Sequence, residues 1–168
     1  MSPLRRSLTL GCVLMMALGF TVGLSAQTAD PLSGTWKLNL ARSKYSPAAL
    51  AIKSSTSRFE VAQGGVRLVN DGVDGQGRVT HIEYTVMFDG KDYPVKSTIA
   101  GRPNPDQDAV AWKKIDDHTY ENTAMLKGKA LTTTRVVISR DGKTRTNTVT
   151  GKNAQGQTVN NTVVYERQ

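Results

Sequence analysis

The chain has 168 residues, 22 Lys+Arg against 14 Asp+Glu, a formal net charge of +8 and a single cysteine, Cys12. One cysteine excludes an intrachain disulfide framework and a cysteine zinc centre. Aromatic residues at 6%, scattered along the chain, exclude a base-stacking platform, so no nucleic-acid partner is expected.

The first segment reads as a secretory signal peptide over residues 1–26. Arg5 and Arg6 give it a positive start, residues 8–24 are almost wholly apolar, and Ser25-Ala26 supply the small exit before Gln27. The alternative is an uncleaved membrane anchor, because the apolar run is close to the length of a short span. Cleavage near Ala26 removes Cys12 and leaves 20 basic against 14 acidic residues, a net charge of +6. The expected product is a periplasmic or secreted protein without stable membrane insertion, residues 27–168 forming one domain. Its basic groups are dispersed: Lys113-Lys114, Lys127, Lys129, Arg140, Lys143 and Arg145 lie mostly near turns. They read as solvated strand edges that discourage aggregation, not as a binding patch.

Residues 33–40 alternate Trp36, Leu38 and Leu40 with Thr35, Lys37 and Asn39, the period of a strand with one buried face. Residues 41–53 leave room only for a loop or one helical turn started by Pro47. Alternation resumes over residues 55–61, with Phe59 inward, and Gln63-Gly64-Gly65 turns the chain into residues 66–70. A glycine-rich hairpin loop, residues 71–77, leads to the longest strand, residues 78–88, where Ile82, Tyr84, Val86 and Phe88 form the apolar face. Asp89-Gly90 signals a tight hairpin, Pro94 confines the short returning strand to an edge, and Pro103 and Pro105 mark a loop excluded from ladder pairing. Further strands cover residues 109–115 with Trp112, 119–126, 131–139, 144–150 and 159–167, joined by short turns. The expected fold is all-β, a single antiparallel up-and-down barrel of about eight to ten strands.

The Gly34-x-Trp36 on the first strand and the basic Arg167 closing the last resemble the calycin barrels, the lipocalins and fatty-acid-binding proteins. The opening Gly34-Thr35-Trp36-Lys37-Leu38 and closing Tyr165-Glu166-Arg167 are especially similar to the intracellular fatty-acid-binding proteins, and the whole chain resembles small exported bacterial proteins. The resemblance implies neighbouring first and last strands, with Arg167 packed over Trp36 beside Gly34 as the closure of the barrel. It also implies a ligand carboxylate held by an Arg-x-Tyr, whose tyrosine falls on Tyr165 and whose arginine position is Val163. The helix pair that follows the first strand in those proteins has no room between Leu40 and Lys53.

An exported barrel suggests capture of a small apolar or amphipathic, lipid-like molecule. The candidate interior is Trp36, Leu38 and Phe59 from the first half, Ile82, Tyr84 and Val86 from the long strand, and Trp112, Val163 and Tyr165 after it. These residues either line a cavity or fill a core, in which case the protein is a structural or interaction module without a small-molecule ligand. Arg135, within Thr134-Arg135-Val136-Val137, either holds a ligand acid inside or sits on the wet face. His81 and Glu83 share a strand face as an acid/base pair, as two ligands of a metal, or as exposed residues. No catalytic residue, metal or cofactor is assigned, and oligomeric state is not specified.

Overall fold

The computed structural model describes residues 29–168, so the signal-peptide expectation for residues 1–26 and its cleavage site lie outside the described residues. The strands are β1 (Gly34–Lys44), β2 (Ser54–Ala62), β3 (Gly65–Val73), β4 (Val79–Met87), β5 (Tyr93–Pro94) and β6 (Lys96–Ile99), followed by β7 (Arg102–Pro103), β8 (Ala109–Lys114), β9 (Thr119–Leu126), β10 (Lys129–Ile138), β11 (Thr144–Lys152) and β12 (Thr158–Arg167). A single 3-10 turn, Ala48–Leu50, stands where the sequence left room for one. All twelve strands form one antiparallel sheet in the order β5-β8-β9-β10-β11-β12-β1-β2-β3-β4-β6-β7. The first and last strands therefore meet in its middle: Trp36 lies opposite Arg167, and Leu38 opposite Tyr165.

Two expectations are corrected. The strand count is twelve rather than eight to ten, because residues 93–103 divide into three short strands instead of one strand and a loop. Pro103 pairs with Thr98 at the sheet's end, where its missing N–H faces no further strand. The sheet is also a curled half-barrel, not a barrel closed by a continuous ladder. Its terminal strands β5 and β7 have only two residues each and carry Pro94 and Pro103, which cannot donate across a seam. β4 and β8 approach one another at the Asp89–Lys113 bridge, where Gly90 N donates to Trp112 O at 2.9 Å.

The period of two decides which side chains face the concave surface. Trp36, Phe59, Val66, Tyr84, Val86, Trp112, Tyr120 and Val136 pack there as the core. Trp112 is its hub: the rings of Phe59, Phe88 and Tyr84 surround it at 6.1, 6.3 and 6.4 Å, and its Nε1 donates to Tyr84 Oη at 3.1 Å. Such edge-on and tilted pairs add to area burial and orient the rings that bound the interior.

One end of the curled sheet is plugged by the residues just before β1. Leu32 is fully buried, and its carbonyl accepts from Trp36 Nε1 at 2.9 Å. The Arg167 guanidinium lies 4.4 Å from the Trp36 ring and donates to the carbonyls of Pro31, Ser33 and Gly142. Gly34, at φ +124°, passes directly beneath it; a Cβ there would run into Arg167 Nη1. Asp30 fastens the plug from the other side, accepting from Tyr120 Oη, from Leu32 N at 2.9 Å and from Lys114 Nζ at 3.0 Å.

Candidate functional site

Beyond the plug, a cavity of about 290 Å³ lies within the curl. Its apolar wall combines Phe59, Ile82, Tyr84, Trp112, Val163 and Tyr165, all anticipated as interior residues. Trp36 and Val86 are buried in the core without lining this cavity, and Leu38 is half-buried against the same core. At the far end, the segment joining β1 to β2 contributes Tyr45, Leu50 and Ile52.

Arg135 requires a correction: it is exposed on the outer face of β10 and does not reach the interior. Thr134, Val136 and Ile138 take the inward positions of that strand, and alternation turns Arg135 and Val137 to solvent. The long-strand pair is also outside the cavity. His81 Nδ1 lies 2.7 Å from Asp71 Oδ1 on a solvent-facing position, and Arg67 binds Glu83 at 2.8 Å. That hydrogen bond from Arg67 holds the Glu83 carboxyl below its usual range, so Glu83 is a paired surface anion.

The charge inside the cavity comes from a residue that sequence reading assigned to a solvated edge. On β11, Arg145, Asn147 and Val149 point inward, while Thr144, Thr146 and Thr148 alternate with them. Arg145 is 1% exposed and lies opposite Tyr165 on β12 and Ile138 on β10. Three rings enclose its guanidinium: Tyr165 at 3.9 Å, Phe59 at 4.7 Å and Trp36 at 5.6 Å. Aromatic faces attract a cation but do not neutralise it. Nη2 donates to Ser57 Oγ at 3.2 Å, whereas the buried Nε–H has no partner. Burial pulls the guanidinium down from 12.5 to about 10, which still leaves it charged at neutral pH. No carboxylate among the described residues accompanies it.

Two more polar atoms are buried at the cavity without partners, Asn147 Oδ1 and Tyr45 Oη. Burial pushes the Tyr45 phenol up to about 12, so it remains neutral and able to donate. Two neighbouring amides are engaged in holding the wall. Asn70 Oδ1 accepts from Ser55 Oγ at 2.6 Å and Ser57 Oγ at 2.8 Å, and Asn161 Oδ1 accepts from Ser46 N at 2.9 Å. The site thus offers an unneutralised cation, a buried free acceptor, a buried free hydroxyl and aromatic walls. It can hold an anion with an apolar body; it presents no nucleophile with an adjacent base.

The sequence contained one sign of this arrangement. Threonine recurs at every second position from 144 to 150, which gives β11 one uniform face and leaves Arg145, Asn147 and Val149 as the other. Neither face is apolar, so alternation alone does not say which is buried. Compared with known protein families and with curated proteins, the chain matches none.

Proposed function

We propose that the protein is an exported binding protein for a small amphipathic molecule, and that it holds the anionic group of that molecule at Arg145. The observation that carries this reading is a fully buried guanidinium without a counter-ion at the edge of a cavity. Taking a lone ion out of water is costly, and an incoming carboxylate recovers much of that cost through charge-assisted hydrogen bonds to Nε and the terminal nitrogens. The rings of Phe59, Trp112 and Tyr165 then take the apolar body. Adjacent first and last strands, and Arg167 over Trp36, support reading the half-barrel as calycin-like. Export with removal of residues 1–26 fits a carrier that meets its cargo outside the cytoplasm.

Native mass spectrometry of the purified protein, followed by denaturing extraction, tests the proposal. A small acid should co-purify with the wild type and be absent from Arg145→Met. Wild-type protein that is empty and binds no fluorescent anionic probe would overturn it in favour of a structural module.

A further inference from the structure

We infer that the acid held at Arg145 is compact and carries a hydroxyl or amide N–H on its apolar body, rather than being a long-chain fatty acid; this rests on the anion-binding reading above. The cavity, about 290 Å³, lies at the small end of ligand pockets, which run from about 300 Å³ upward, and so favours a compact ligand. Unpartnered polar atoms also lie past the cation. Asn147 follows Arg145 by two residues on the same face of β11, about 7 Å along the strand. Its Oδ1 is buried and accepts nothing, and Tyr45 Oη is likewise unpaired at the cavity. An unbroken alkyl chain lying past Arg145 would bury both atoms dry, and an unmade buried hydrogen bond weakens binding. A donor on the ligand satisfies Asn147 Oδ1, while the Tyr45 hydroxyl turns toward the same substituent or toward the carboxylate. Of the other amides at the cavity, Asn70 and Asn161 are committed to serines and backbone in the wall.

Isothermal titration with a matched series tests this: 3-phenylpropionate, its three ring-hydroxylated isomers, 3-phenylpropionamide and palmitate. At least one hydroxylated isomer is expected to bind about tenfold more tightly than 3-phenylpropionate. Asn147→Val should erase that gap. Tyr45→Phe, which leaves the volume nearly unchanged, should narrow it and so reads the same contact independently. Equal affinity for hydroxylated and parent acids, or palmitate binding more tightly than every phenylpropionate, would overturn the inference. In either case, tenfold weaker binding of 3-phenylpropionamide than of 3-phenylpropionate leaves the anion reading standing. Amide and acid binding equally, or no acid binding at millimolar concentration, would overturn both.

Discussion

Arg145 is a cation in a place where a fold gains little from one. The three surrounding rings return part of its lost hydration, but no acid returns the rest. Replacing it with methionine keeps an unbranched side chain in the same slot and removes the buried charge. Arg145→Met is therefore expected to raise the melting temperature, by about 4 °C for each kcal/mol gained, while abolishing anion binding. Thermal unfolding followed by circular dichroism checks the first half and titration with 3-phenylpropionate the second. A melting temperature lowered by several degrees would mean that ring stacking outweighs desolvation. Stability given up for binding is a common signature of a functional group.

Among the elements, β1 and β12 have the most to lose from a single change. Trp36 is fully buried, receives Arg167 on its face and holds Leu32 through its indole N–H. Trp36→Ala should cost about 3–5 kcal/mol in urea unfolding; an unchanged transition would contradict the role of this pair in joining the first and last strands. Gly34→Ala adds a Cβ at φ +124° against Arg167 Nη1, and should cost about 1–3 kcal/mol in the same measurement. The strands themselves were largely legible. Ile82, Tyr84 and Val86 alternate with His81, Glu83 and Thr85, and β4 buries the first set more deeply than the second. The short strand at Tyr93-Pro94 was expected at an edge, where β5 lies, but its separation from β6 and the pairing of β7 were not legible, because pieces of two to four residues are too little for a periodic signal.

At the scale of the whole molecule, ionisation limits stability at both ends of the pH range. Burial raises the Asp30 carboxyl, but hydrogen bonds from Tyr120, Leu32 N and Lys114 outweigh it and leave the group below 3.8. Its contribution is thus present above about pH 4 and lost as pH falls through the lowered folded value. Asp30→Asn should flatten the acid limb of a melting-temperature profile. On the alkaline side, burial holds Tyr45 at about 12 and raises Tyr84 and Tyr120 as well. The unfolded chain begins to lose these phenolic protons near pH 10, so stability should fall above that pH. Arg145 works in the opposite sense: its folded value of about 10 lies below 12.5, so its penalty is relieved as pH rises through 10. Arg145→Met should therefore steepen the alkaline fall, and a slope identical to wild type would count against the burial of this charge.

The sequence by itself determined an all-β chain, the positions of most turns and the inward set from Phe59 to Tyr165, because alternation and turn chemistry are local properties. Only the tertiary structure decided that the sheet has twelve strands and curls without a continuous seam, and that Arg135 faces water while Arg145 does not. The two arginines occupy similar strand contexts. What separates them is register: Arg145 stands opposite Tyr165 and inside the curl, whereas Arg135 stands opposite Thr148 on the outer face. A one-residue difference in register reverses a side chain's face. That choice is made by the pairing of distant strands, which no single stretch of the chain contains.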